Sequence, residues 1–150
     1  MSNTQFEGAA AIGDEDCHAA ADLIAGIWPD YVDLFRREME IYRAHPDVFR
    51  PFFVLAKNEG KVAGFGLLTS SVMSTDLSAI SWVAVHPCNR HCGIGRKLID
   101  ICLHEARQRT QSVVLTTTVP GFYSKIGFKI VDEYHVKEKS FLLTCDTHAK

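Results

Sequence analysis

The residues with the clearest chemical potential lie in one stretch, residues 83–99, which reads VAVHPCNRHCGIGRKLI. Four possible metal ligands fall close together there: His86, Cys88, His91 and Cys92. Structural zinc sites usually show paired Cys-x-x-Cys or His-x-x-x-His spacings, whereas these intervals are irregular and the adjacent His91 and Cys92 cannot easily turn to one ion. The sequence therefore predicts no metal site here.

The two glycines of the same stretch suggest a second chemistry, the binding of a phosphate. They do not complete GxGxxG, because Leu98 occupies the third glycine position, and they do not form a P-loop, because Lys97 follows Arg96 rather than glycine. A turn with Gly93 and Gly95 that opens a helix would still direct free N–H groups at an anion such as a pyrophosphate. An ordinary strand-to-helix connection is the alternative.

The rest of the chain sets limits on what could position these residues. Its 150 residues, of which 47% are apolar, are enough for one domain, residues 1–150, with a packed core. A net charge of −2 without long runs of one sign gives no reason to expect a nucleic acid or a membrane surface as partner. The start resembles no signal peptide, and the five cysteines are odd in number, so we predict reduced thiols and a cytoplasmic protein.

Hydrophobic periodicity gives a coarse order of elements. A helix capped by Asp14 or Asp16 and a second helix over residues 30–45 follow a weak strand within residues 6–12. Two apolar runs around Asn-Glu-Gly predict a hairpin, and a strong strand then leads into a helix over residues 93–108. A further strand, a short turn and a final antiparallel pair complete an α+β, or mixed α/β, plan.

The order of these elements and two motifs resemble the GNAT superfamily of N-acetyltransferases. The stretch 83–99 resembles the family's V-x-P-x-x-[RQ]-x-x-G-x-G/A motif, with Val85, Pro87, Arg90, Gly93 and Gly95 at its fixed positions. Downstream, FYSKIGF at residues 122–128 resembles the family's F-Y-x-K-x-G-F segment. Two motifs in the right order are more specific than either one alone.

The resemblance implies a GNAT acyl-CoA N-acyltransferase fold. Its central, mostly antiparallel sheet would splay between the fourth and fifth strands, with helices on both faces. Acetyl-CoA would lie in that gap as co-substrate, and no metal is implied. The residues that the resemblance assigns to its binding are Val83, Ala84, Val85, Arg90, His91, Cys92, Gly93, Ile94, Gly95 and Arg96.

The resemblance also implies a mechanism. An amine acceptor would attack the thioester directly, and Tyr123 would protonate the departing thiolate as general acid, because a phenol is protonated at neutral pH. The fourth strand lacks the acidic residue that many relatives carry, so Ser81, His86, Asp76 or a water chain are the candidates for the general base. An acyl-CoA-binding or regulatory module that has lost turnover is the alternative function.

The sequence predicts the acceptor site less specifically than the other parts of the site. The resemblance implies that the first two helices and the last hairpin build it, and these supply both aromatic and acidic residues: Trp28, Tyr31, Phe35, Tyr42, Tyr134, His135, Asp30, Asp33 and Glu38. Aromatic rings with acids would suit a cationic amine, whereas helical spacing also fits plain core packing. Small-molecule, peptide and protein amines stay open, as do a homodimer and a longer acyl chain.

Overall fold

The computed structural model describes residues 3–71, 74, 76–135 and 138–147. The elements follow in the order β1 (Thr4–Ala9), α1 (Asp14–Ile27), α2 (Val32–Ala44), α3 (Pro46–Phe49), β2 (Phe52–Asn58), β3 (Lys61–Ser70), β4 (Leu77–Val85), α4 (Ile94–Arg107), β5 (Ser112–Thr117), α5 (Pro120–Ser124), β6 (Lys129–His135) and β7 (Lys139–Asp146). Single 3₁₀ turns at Pro29–Tyr31 and Pro87–Asn89 precede α2 and follow β4.

The strands form a seven-stranded sheet in the order β1-β2-β3-β4-β5-β7-β6. All neighbours run antiparallel except β4 and β5, which run parallel because α4 carries the chain back across the sheet. The predicted hairpin is confirmed: β2 and β3 join through Glu59 and Gly60, which both have positive φ, as a two-residue hairpin turn requires.

Helices cover both faces of the sheet. On one face α4 buries its apolar stripe, centred on Leu98 and Cys102, against β2, β3 and β4. On the other face α1 and α2 bury Ile24 and Phe35 against Phe65 of β3. These arrangements confirm the predicted fold class. In the described part of the chain, no helix is long and apolar enough to cross a membrane.

The predicted capping of α1 is wrong. Gly13 occupies the N-cap position, and no side chain caps the helix. Asp14 instead lies inside the first turn and accepts a hydrogen bond of 2.6 Å from Arg43 of α2, while Asp16 pairs with Lys57 of β2 at 3.2 Å. Both carboxylates therefore bind cations on neighbouring elements and still lie at the positive end of the helix dipole.

Candidate active site

A gap opens in the sheet between β4 and β5. The two strands pair at Leu77–Ala79, opposite residues 112–114. Beyond these positions β5 continues alongside β7 as far as Thr117, and β4 continues alongside β3 as far as Val85. One side of β4 therefore offers backbone N–H and C=O groups that an extended ligand could pair with as a strand does.

A β-bulge lies in β4 where the gap opens. Leu67 is opposite Trp82 and Leu68 is opposite Ile80, so Ser81 is the extra residue between them. Its side chain lines a cavity of about 670 Å³ at the gap, and its Oγ lies 3.2 Å from Oγ1 of Thr69. Bulges change the direction of side chains, and this one turns a polar side chain toward the cavity.

The turn between β4 and α4 has the geometry expected of an anion site. Gly93 takes the N-cap position of α4 with φ 81°, and no side chain caps the helix. A Cβ built on Gly93 would meet nothing within 4 Å, and one on Gly95 would lie 3.5 Å from a methyl group of Val85. The first N–H groups of α4 have no capping side chain, and the open space at Gly93 lets an acceptor from outside the helix approach them.

Two side chains hold this turn against the end of β4. Arg90 donates from Nε to the carbonyl oxygen of Val85 at 3.2 Å, and His86 accepts from the N–H of Cys88 at 3.1 Å through Nδ1. His91 has φ 63°, a left-handed conformation that reverses the chain before Gly93. Arg90 therefore positions the turn through its side chain, whereas the exposed N–H groups of α4 belong to the backbone.

Tyr123 lies on α5 at the β5 side of the cavity. Its ring makes edge-on contacts with Phe122 and Phe128 at centroid distances of 5.0 and 5.8 Å. Its backbone carbonyl accepts hydrogen bonds from the N–H groups of Ile126 and Phe128. Burial raises the pKa of Tyr123 to about 12, so the phenol keeps its proton at neutral pH.

The opposite wall of the cavity contains a carboxylate, Glu38 of α2. The indole Nε1 of Trp82 donates to Oε2 at 3.1 Å, and the hydroxyl of Tyr42 donates to Oε1 at 2.8 Å. The pKa of Tyr42 is raised to about 12, first by burial and then by the hydrogen bond to Glu38. These contacts fix the carboxylate at the cavity wall.

The predicted acceptor residues divide between the cavity and the core. Trp28, Tyr31 and Tyr134 line the cavity with Glu38. Phe35 does not: it is fully buried and packs edge-on against Trp82 at 5.1 Å between centroids, because its direction on α2 points to the sheet. Tyr42 is half-buried behind Glu38, Asp30 and Asp33 are exposed, and the side chain of His135 lies outside the described part of the chain.

Sequence reasoning missed several cavity residues and grouped others that lie apart. The missed residues include Leu34, Trp82 and Glu138. The alternation of β4 could not have identified Trp82, because the bulge at Ser81 places Ile80 and Trp82 against opposite faces of the sheet. Of the predicted base candidates, Ser81 lines the cavity, whereas His86 lies beyond the end of β4 and Asp76 precedes its start.

The cysteines lie apart from this cavity. Cys88 and Cys92 are exposed in the turn before α4, and Cys102 lies on the buried face of α4, where burial raises its pKa to about 12. All five are free thiols. Among the described residues, no group of three or more His, Cys, Asp or Glu side chains is arranged to hold a metal ion.

The sequence is similar to those of known acetyltransferases. A model of the acetyltransferase (GNAT) domain matches residues 50–130. An amino-acid acetyltransferase of Mycobacterium tuberculosis is 31% identical over 119 residues, which are 78% of this chain and 62% of that protein. The peptidyl-lysine N-acetyltransferase YjaB of Escherichia coli is 27% identical over 132 residues, covering 81% and 84% of the two chains.

Solved structures share the fold over nearly the whole chain. An aminoglycoside 6'-N-acetyltransferase complexed with coenzyme A superposes with a TM-score of 0.82 at 15% identity, covering 97% of this chain and 98% of that one. Ard1 from Thermoplasma volcanium superposes with a TM-score of 0.75 at 21% identity, covering 95% and 97%. At these identities the structural similarity establishes the fold and does not identify the acceptor.

Proposed function

The chain belongs to the GNAT acetyltransferase family, and from this premise we propose that it transfers the acetyl group of acetyl-CoA to an amine, as a single catalytic domain. The resemblance stated from the two sequence motifs is thereby confirmed at the level of the family. The observation that carries the proposal is the gap between β4 and β5, with the uncapped α4 at one end and Tyr123 beside it.

The gap suits the shape and charge of acetyl-CoA. Backbone groups of β4 from Val83 to Val85 would pair with the extended pantetheine arm, as an added strand would. The N–H groups at the start of α4 would bind the pyrophosphate, helped by the open space around Gly93. The thioester would then lie near the cavity, where a backbone N–H near Val83 could polarise its carbonyl oxygen.

Tyr123 is placed to protonate the sulfur that leaves during acetyl transfer. When the acceptor nitrogen bonds to the acetyl carbon, the C–S bond breaks and the sulfur leaves with negative charge. Tyr123 lines the same cavity and holds its proton, since its pKa is raised to about 12. We therefore assign Tyr123 as the general acid that protonates the leaving sulfur.

A screen of amines tests the proposal. Purified protein is mixed with acetyl-CoA and one acceptor, and released thiol is followed with a chromogenic reagent. The panel contains alkylamines, arylamines, amino acids, a lysine peptide and an aminoglycoside. We expect release above the rate without acceptor for at least one amine. Tight acetyl-CoA binding without release for any amine would favour the binding or regulatory module instead.

A further inference from the structure

Among the residues that the structure describes, Glu38 is a carboxylate without a cationic partner. Neither Lys nor Arg forms an ion pair with it among the described residues, whereas Asp14, Asp16, Asp100 and Glu105 each have one. Its two contacts come from neutral donors, the indole of Trp82 and the hydroxyl of Tyr42. Each carboxylate oxygen keeps capacity for a further donor, because an ionised carboxylate has about four acceptor sites.

The surroundings of Glu38 favour a positive charge. The cavity that Glu38 lines includes the apolar and aromatic side chains of Trp28, Leu34 and Tyr134, together with hydroxyl side chains and a second carboxylate, Glu138. Glu38 is half-buried at the cavity wall, and an incoming cation with N–H donors would replace the part of its hydration that binding removes. The aromatic faces would attract the same cation and pack against an apolar body attached to it.

The position of Glu38 depends on elements that are far apart in sequence. It lies on the second turn of α2, and Trp82, which donates to it, lies next to the bulge of β4. The indole is in turn held by its edge-on contact with the fully buried Phe35. The hydrogen bond from Trp82 thus holds the Glu38 carboxylate against β4, the strand along which acetyl-CoA would bind.

We propose that Glu38 binds the ammonium group of the acceptor and accepts its proton, so that the site selects primary alkylammonium compounds with an apolar body. This inference rests on the proposed acetyl transfer. With Glu38 as the base, the proton acceptor lies on α2, and β4 needs no acidic residue at the position of Ser81.

The proton and electron balance is complete with these two residues and solvent. One N–H bond of R–NH₃⁺ breaks, its proton passes to Glu38, and its electron pair stays on nitrogen. That pair forms the bond to the acetyl carbon, and the C–S electrons leave on sulfur, which takes the proton of Tyr123. A second N–H proton returns through water to Tyr123, and Glu38 releases its proton to solvent.

Two isomeric amines separate this role from a structural one. At neutral pH benzylamine is an ammonium ion, whereas 4-methylaniline has the same formula and is neutral. In Glu38→Gln, which preserves the length of the side chain, we expect kcat/KM for benzylamine to fall about tenfold to a hundredfold, as for the loss of a charge-assisted contact and a base. The value for 4-methylaniline should stay within about threefold, given the usual size of neutral hydrogen-bond effects.

The controls distinguish failure of this inference from failure of the proposed function. Glu40→Gln removes an exposed carboxylate from the same helix and should change neither value. Calorimetric binding of benzylammonium to the CoA complex needs no turnover, and we expect it to weaken about tenfold in Glu38→Gln. Equal losses for both amines, or unchanged benzylammonium binding, would overturn the role of Glu38. If no amine is acetylated but benzylammonium binding still depends on Glu38, the proposed acetyl transfer is wrong. Glu38 would then bind the ammonium group without acting as a base in catalysis.

Discussion

Replacement of Tyr123 by Phe is the most direct test of the chemistry. The substitution removes one oxygen atom and keeps the ring that contacts Phe122 and Phe128 edge-on. Among the described residues the Tyr123 hydroxyl has no hydrogen-bond partner that would be left unpaired. We therefore expect the free energy of unfolding to change by less than about 1 kcal/mol, and the melting temperature by only a few degrees.

The size of the catalytic loss follows from the environment of the phenol. General acids contribute about 10²–10⁴-fold to a rate, and the contribution falls as the acid becomes weaker. Burial raises the pKa of Tyr123 to about 12, which is roughly two units above the ordinary value. The loss in Tyr123→Phe should therefore be near the lower end, about 10²-fold in kcat, or roughly 2.7 kcal/mol.

The assay compares kcat and the acetyl-CoA dissociation constant under saturating acceptor. We expect kcat to fall and the dissociation constant to stay within about twofold, because a general acid acts in the transition state. Tyr134→Phe is the matched control: it removes the same atom from another tyrosine of the cavity, at its rim, and should alter KM for the acceptor rather than kcat.

The pH profile gives an independent reading. With the neutral acceptor 4-methylaniline, the wild-type rate should show no decline from ionisation of Tyr123 through about pH 10, since the pKa of Tyr123 is raised to about 12. A kcat for Tyr123→Phe within threefold of wild type, with the best acceptor found, would refute the assignment, and the sulfur would then take its proton from water or another group.

Three further outcomes follow from the described contacts. Gly95→Val should abolish the thermal stabilisation by acetyl-CoA because its methyl groups would crowd Val85 and the approach to α4, whereas Arg90→Ala should weaken it less; equal effects would contradict a backbone anion site. Because burial raises the pKa of Tyr123 from an ordinary value near 10 to about 12, the wild type should keep its stability below about pH 10 and lose up to roughly 2.7 kcal/mol between about pH 10 and 12; its urea midpoint, close to that of Tyr123→Phe at neutral pH, should fall below the variant's there. Cys88→Ser should keep acetyl transfer nearly intact, and elemental analysis should find less than one zinc per chain; a tightly bound zinc would contradict the reading of the Cys-His cluster.

Much of the fold could be predicted from the sequence because its determinants are local. The positive-φ pair at Glu59–Gly60, the apolar runs of the strands and the apolar stripe of α4 each lie within a short window. The two motifs occur in a fixed order, and this order predicted the family and a sheet that splays between its fourth and fifth strands. Element boundaries shifted by a few residues at most, as at α4, which begins at Ile94 and ends at Arg107.

The missed features depend on residues that are distant in sequence. Glu38 and Trp82 are 44 residues apart, and nothing in either segment indicates that they meet. The sequence around Asp14 is typical of a helix cap, but the Asp14 carboxylate binds Arg43, which is 29 residues away in sequence. The bulge at Ser81 arises from the register of β3 against β4, which no single strand specifies. The roles of the cavity residues stay predictions for the same reason, because they depend on where a ligand lies.

The short parallel pairing of β4 and β5 also affects solubility. Unpaired strand edges usually lie at the margin of a sheet, where they can recruit strands of other proteins and start aggregation. Here such an edge lies in the middle of the sheet, recessed between β4 and the diverging β5. A recessed edge can pair with a single extended ligand more easily than with the sheet of another protein molecule. The unpaired edge of β4 can therefore bind a narrow ligand with little risk of aggregation between copies of the chain.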